Sequence, residues 1–375
     1  MNNDLILHNL IGSQSSGSSG SSSNLSYIRS NTYLPLPDIS GTNNAFVGLY
    51  AVFPTNGYVS FTVSGKFTVD WGDGTVTNYA AGATASRTYT FTSLNTQVTS
   101  QGYKQVIIKI TAQSGANLTS INLNVKNASA TGASAYTTGW LDIAINASSL
   151  TSLTLAGSAP ATYHRLLEQV NIYKSAITNF SYMFAYSSVL ESVPNCDISK
   201  GTSFTYMFYN CFNLKKIPAL TFNNPGSLTY MFANCYQLAD ASLSINSPTN
   251  MDYTFFCCSS LVTMPSLNSG SVTSYNYTFA GCVSLKTIVS MDMSAATAAS
   301  NTFYQCQSLS TISLLNVGVS LVLADCNLTH ETLANLMNNL KAGLKTLDIR
   351  DNWGAPMLTA AERAVATQRG WTLLG

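Results

Sequence analysis

From residue 45 to residue 112 apolar and polar positions alternate, with Tyr58, Phe61, Val63, Phe67 and Val69 in one half and Tyr89, Phe91, Val106, Ile108 and Ile110 in the other. A period of two places one side of a strand against a core. Turn residues break these runs at strand-like intervals, so the stretch predicts a small β-sandwich. After Leu118 the period changes. Leu118-Thr-Ser-Ile121-Asn-Leu123, Leu150-Thr-Ser-Leu153-Thr-Leu155 and Leu167-Glu-Gln-Val170-Asn-Ile172 all read L-x-x-L-x-L. The pattern then locks into phase: Phe184, Phe208, Phe232, Phe255, Phe279 and Phe303 recur at intervals of 24, 24, 23, 24 and 24 residues. Two positions before each stands Tyr182, Tyr206, Tyr230, Tyr253, Tyr277 or Asn301, and six positions after each stands Leu190, Leu214, Leu238, Leu261, Leu285 or Leu309. Cys211, Cys235, Cys258, Cys282 and Cys306 form a further column, with Ser187 in the first copy. One such unit cannot enclose its own Phe and Leu. Stacking the units buries them in continuous columns, each side chain gaining about 1.5 to 3 kcal/mol of transfer free energy. A helical stretch after Thr329 with Leu333, Leu336, Met337 and Leu340 on one side, a strand Leu344 to Ile349, a helix opened by the Thr359/Glu362 capping box and a last strand Trp371 to Leu374 read as a cap on the array.

Two resemblances follow from these residues. The heptapeptide Val69-Asp70-Trp71-Gly72-Asp73-Gly74-Thr75, with Tyr89 and the closing strand Tyr103 to Ile110, resembles the polycystic kidney disease (PKD) domain and its W-G-D-G turn. The Y-M-F-x-x-C-x-x-L units resemble BspA-like leucine-rich repeats, which occur in bacterial surface proteins and in phage virion proteins. The expected fold is therefore mainly β with some α: a PKD-like β-sandwich followed by a BspA-type leucine-rich-repeat solenoid with a C-terminal helical cap. The expected divisions are residues 1–30 as anchor peptide and tether, 31–115 as the sandwich and 116–375 as the solenoid with its cap.

The first of these divisions rests on composition. Gly12 to Asn24 reads GSQSSGSSGSSSN, a flexible tether, behind the apolar residues Leu5, Ile6, Leu7, Leu10 and Ile11. The functional reading is an anchor peptide that docks on a partner; the plain alternative is a frayed terminus. Asp4, His8 and Asn9 spoil the peptide as a secretory signal, and no apolar run reaches the length of a membrane span. Only 9% of the 375 residues are charged, 17 Lys plus Arg against 16 Asp plus Glu, so no charge field points to nucleic acid or an anionic membrane.

Candidate chemistry is sparse. His8, His164 and His330 stand far apart, no nucleophile, phosphate-loop or zinc-protease motif is present, and the acidic residues are scattered, so neither an enzymatic role nor a cofactor is expected. Asp70 and Asp73 fall short of the six to eight oxygens calcium takes, and no metal site is expected. The cysteine column reads as reduced thiols acting as small hydrophobes, with disulfide or metal binding as the alternatives. Tyr209, Phe212, Tyr236, Tyr275 and Tyr304 are the candidate binding surface, since aromatic rings give contact area at low entropy cost; the same rings could instead pack on the neighbouring repeat. The resemblance fits both phage virion and bacterial surface proteins; together with the missing secretory signal and the anchor-like start it leads to the expectation of a virion structural protein of a tailed phage (head fibre, decoration protein or tail-associated adhesin), exposed on the particle. Its N-terminal peptide would join a capsid, neck or tail protein and its repeats a host surface protein or glycan; self-association is left open. The alternatives are a bacterial cell-surface or secreted adhesin and an intracellular protein-binding scaffold.

Overall fold

Strand β1 (Ala45–Val52, AFVGLYAV) carries no charge and all 8 of its residues are buried. Such a strand needs cover on both faces and a neighbour on both edges. The protein, seen here in a computed structural model that describes residues 33–126, 139–155, 166–241 and 243–375, supplies both. The chain continues through β2 (Tyr58–Ser64), β3 (Phe67–Asp70), β4 (Val76–Tyr79), β5 (Thr84–Thr88), β6 (Lys104–Ala112), β7 (Ser120–Asn122), β8 (Trp140–Asn146), β9 (Ser152–Thr154), β10 (Gln169–Lys174) and β11 (Ser192–Cys196). A seven-stranded sheet runs β11-β10-β8-β1-β6-β3-β4, and a four-stranded sheet runs β5-β2-β7-β9. Their inner side chains meet in one core: the Phe61 ring of the smaller sheet lies 5.5 Å from Trp71 and 6.4 Å from Trp140. The outer side of β1, Ala45 and Val47, is covered by Leu36, Ile39 and Tyr173, and Asn146 Nδ2 donates to the Ile39 and Ser40 carbonyls to pin that cover.

The W-G-D-G turn joins β3 to β4. Gly72 and Gly74 have φ of 75° and 86°, which the tight turn requires, and the Trp71 carbonyl accepts from Tyr89 OH at 2.7 Å. Asp70 accepts from the Gly72 N–H and Asp73 from the Thr75 N–H and from Arg87 Nε, so each carboxylate braces the turn through one of its oxygens.

The expected boundary at residues 115/116 coincides with no break in either sheet. β8 is antiparallel to β1 but parallel to β10, and β7 is antiparallel to β2 but parallel to β9. Both sheets thus change from antiparallel to parallel pairing while remaining continuous, and the solenoid grows out of the antiparallel layers. Trp140 sits at this junction, 5.4 Å from the Phe46 ring and 5.1 Å from the Tyr50 ring. It lies over Gly48, where a Cβ would come within 2.3 Å of its ring. A glycine is needed there because the indole takes the space of any side chain.

Beyond β11 the rungs carry short parallel strands: β12 (Leu220–Asn223), β13 (Leu243–Asn246) and β14 (Ser266–Asn268) in one sheet, then β15 (Thr287–Asp292) with β16 (Thr311–Leu315). Single parallel bridges such as Ser192↔Lys216↔Asp240 carry the pairing across the gaps. The array closes with β17 (Leu321–Val322), α1 (His330–Asn338), β18 (Thr346–Asp348), α2 (Ala360–Gln368) and β19 (Thr372–Leu374). Helix α1 buries Leu333, Leu336 and Met337, and the Thr359/Glu362 capping box forms as the sequence predicts. One cluster of buried side chains extends from Phe46 to Trp371 within the compact unit Leu34–Gly375. Leu5, Ile6, Leu7, Leu10, Ile11 and the Gly/Ser tract lie outside the described residues.

Candidate binding face

The Tyr-x-Phe segment of each repeat is neither strand nor helix but a chain of turns whose N–H groups alternate in direction. Met183 N–H donates to Phe180 O (3.1 Å) and Ala185 N–H to Tyr182 O (3.1 Å) within the rung; Tyr182 N–H donates to Thr205 O (3.1 Å) and Phe184 N–H to Met207 O (2.9 Å) in the next. Two residues per rung take positive φ. One precedes the Phe by two positions: Tyr182, Tyr206, Tyr230, Tyr253 and Tyr277 lie between 54° and 60°, as does Asn301 at 54°. The other follows it by two: Tyr186, Asn210, Asn234, Cys257, Gly281 and Gln305. Asn and Gly tolerate this region, but a tyrosine there carries strain of about 1 to 3 kcal/mol.

The left-handed conformation throws the tyrosines outward into a row. Successive rings from Tyr182 to Tyr277 stack with centroids 4.7, 4.8, 4.4 and 4.8 Å apart and planes within 8°. That spacing matches the separation of neighbouring parallel strands, about 4.8 Å, so the backbone pitch alone sets the rings in contact. Each stacked pair contributes about 0.5 to 1.5 kcal/mol beyond its buried area, which offsets much of the strain. Asn301 ends the row by donating to Tyr277 OH at 2.7 Å. Because ring faces are turned on one another, the row offers solvent a line of phenol edges and hydroxyls. Burial, then the neighbouring phenols, raises the pKa of Tyr206, Tyr230 and Tyr253, so the hydroxyls are protonated and both donate and accept at neutral pH.

A second column alternates small and large: Ala185, Tyr209, Ala233, Phe256, Ala280, Tyr304. Tyr209 lies edge-on between Tyr206 (5.2 Å, 86°) and Tyr230 (5.9 Å, 88°), and Phe256 likewise between Tyr253 and Tyr277, while the intervening alanines are buried. Phe212, 38% exposed, stacks on Tyr236 at 5.3 Å. Of the five rings expected at the surface, Tyr209, Phe212, Tyr236 and Tyr304 are partly or well exposed, and the first three also pack on neighbouring rings. Tyr275 is not at the surface. It is fully buried, in the column of Phe180, Phe204, Leu228 and Met251, and its hydroxyl donates to the Ser269 and Asp292 carbonyls deep in the rung. The outward tyrosine row was missed as a surface; the available signal was a column that holds Tyr in five copies and Asn in the sixth while its core neighbours are Phe, Met and Leu.

Hydroxyl and amide columns flank the rings. Thr273 and Thr297 Oγ1 donate to the Thr249 and Thr273 carbonyls, and Asn234 Nδ2 donates to Asn210 Oδ1 at 2.6 Å. The thiols take a similar part inside. Sγ of Cys211, Cys235, Cys258, Cys282 and Cys306 donates to the carbonyl of Phe184, Phe208, Phe232, Phe255 and Phe279 in the preceding rung, at 3.0 to 3.2 Å. Cys326 extends the column with a longer contact to Phe303 O. All eight cysteines are free and buried, and burial raises the pKa of every one, that of Cys196 and Cys257 to about 12. Cys257 is outside the column because it occupies the second positive-φ position. A thiol alkylating reagent is expected to leave native protein unmodified and to label all eight cysteines after denaturation; rapid labelling of Cys258 or Cys282 in the native protein would contradict their burial.

Among the described residues no group of three or more His, Cys, Asp or Glu side chains is placed to hold a metal ion, and no helix is long and apolar enough to cross a membrane. Residues 228–343 match the family model described as BspA type leucine rich repeat region, in six copies. Residues 162–245 match a family described as Mycoplasma protein of unknown function, DUF285. The same 24-residue columns run through both matches, so the two describe one array. No curated protein matches the chain. Residues 228–343 thus carry BspA-type leucine-rich repeats, and the array to which they belong is a β-solenoid.

Proposed function

We propose that this chain is a non-enzymatic adhesin whose solenoid holds a ligand against the tyrosine side. The observation that carries this reading is the row Tyr182–Tyr277 itself: strained tyrosines are repeated rung after rung where asparagine or glycine would serve the backbone better. The row and its flanking columns offer neutral hydroxyls, amides and ring edges, the groups that meet hydroxyl-rich surfaces. Replacing Tyr209, Phe212 and Tyr236 together by serine is expected to lower binding to target cells about tenfold or more, as loss of aromatic anchors does; the melting temperature falls because each lost ring contact contributes about 0.5 to 1.5 kcal/mol, but the variant is folded at the temperature of the assay. Full binding by that folded variant would remove these rings from the interface.

The carrier we propose is a phage particle, on which Leu5, Ile6, Leu7, Leu10 and Ile11 seat in a capsid, neck or tail protein and the Gly/Ser tract gives the repeats reach. The support is the apolar peptide followed by a tether. Protein lacking residues 1–24 is expected to stay folded and soluble yet to be missing from purified particles; normal incorporation would rule the anchor out. The repeat class favours a second carrier, the bacterial cell surface.

A further inference from the structure

The turn ladder stops one rung before the array does. In the rung of Tyr277, the N–H groups of Tyr275, Tyr277, Phe279 and Gly281 donate to Ala298, Ser300, Thr302 and Tyr304 of the next rung at 2.8 to 2.9 Å. In that next rung the equivalent N–H groups belong to Ala299, Asn301, Phe303 and Gln305, and among the described residues none of the four has an acceptor. The cause is a short repeat. From Cys306 to Cys326 there are 20 residues where its predecessors have 24 or 23. The chain that would have formed the next set of turns instead runs as β17, which pairs with β18.

The missing turns leave a recess of about 340 Å³ at the end of the tyrosine row. One wall is Thr297, Ala299 and Ser300 with Asn276, whose successors Tyr277 and Asn301 close the row; the other includes Val319 and Lys345. The Ala299 N–H is directed across it, since in the rung before the same amide crosses to the neighbour. Lys345 is exposed, is the one charged group in the lining, and has no carboxylate partner among the described residues. An unused amide, an ammonium and the Ser300 hydroxyl make a donor-rich site that calls for an acidic, acceptor-rich ligand, and the apolar side of Val319 accommodates a C–H face.

We infer that the recess at the end of the tyrosine row binds a carboxylate-bearing sugar unit of a surface glycan, with the carboxylate at Lys345 and the Ala299 N–H. The inference rests on the adhesin reading and names its ligand class. The test titrates the full chain with 3′-sialyllactose and with trigalacturonate, taking lactose as the neutral control and oligoglutamate as the acidic peptide control. At least one acidic sugar is expected to bind, with lactose and oligoglutamate about tenfold weaker or more. Lys345→Ala should lose about tenfold in affinity, Lys345→Arg should retain most of it, and Ala298→Trp should block the site, each with an unchanged melting curve. Failure of both acidic sugars to bind, equal binding of oligoglutamate, or indifference to both Lys345→Ala and Ala298→Trp would overturn the inference. Cell binding separates the two readings: undiminished adhesion by Lys345→Ala rejects the recess alone, whereas wild-type protein that adheres to no surface rejects the adhesin role.

Discussion

Phe232→Ala is expected to cost about 3 to 5 kcal/mol, the range for removing a large buried ring. Phe232 has no exposed surface and lies between Phe208 at 5.3 Å and Phe255 at 5.4 Å, with planes within 9°. Its neighbours cannot slide inward to fill the gap. Each is held in register by hydrogen bonds between rungs, such as Phe208 N–H to Met231 O and Phe232 N–H to Thr254 O, both 2.8 Å. In a stacked array stability is a sum over units and their interfaces, and this substitution weakens two interfaces at once. The loss is measured by denaturant unfolding. An unchanged midpoint would mean that the ring lies outside the core.

Trp140→Ala should cost a similar 3 to 5 kcal/mol, and the site of the damage is more informative than its size. Trp140 joins Phe46 and Tyr50 on the antiparallel side to strand β8, whose other edge pairs in parallel with β10. Because both sheets cross this junction unbroken, the N-terminal layers and the first repeats should lose structure together. Hydrogen exchange followed by mass spectrometry checks this: peptides from β1, β6 and β10 should gain exchange in parallel in the variant. Exchange confined to residues 45–112 would show two separable domains.

Much of this architecture was legible because a repeat protein writes its third dimension into its sequence period. The Phe, Leu and Cys columns came directly from spacing, since residues 24 apart occupy the same place on successive rungs. The cap was equally legible: Thr329 and Thr359 are recognisable helix starts, and a capping box is a local arrangement that needs no tertiary information. The junction was hidden by a real change of pattern. Alternation gives way to L-x-x-L-x-L after Leu118, but that change marks the switch from antiparallel to parallel pairing rather than the edge of a domain. Strand β7, three residues long, serves both sides of it.

The binding face was only partly legible for a related reason. Spacing says which residues share a column but not which way the column points. Tyr206 points out because its backbone is left-handed, with φ of 60°, whereas Tyr275, placed at the surface from sequence, belongs to a core column in which other copies carry Phe, Leu, Met or Ala. The recess depends on a register loss four residues long between Cys306 and Cys326, which weakens the sequence repeat at the point where the structure acquires its pocket.

The central claim, that the tyrosine side is the face in contact with a ligand, is tested most directly by hydroxyl-radical footprinting of the full chain free and bound to its target surface. Tyr182, Tyr206, Tyr209 and Tyr236 should lose oxidation on binding while Tyr79, on the edge strand β4, keeps its own. Unchanged oxidation along the row, with protection appearing on another side of the protein, would contradict it.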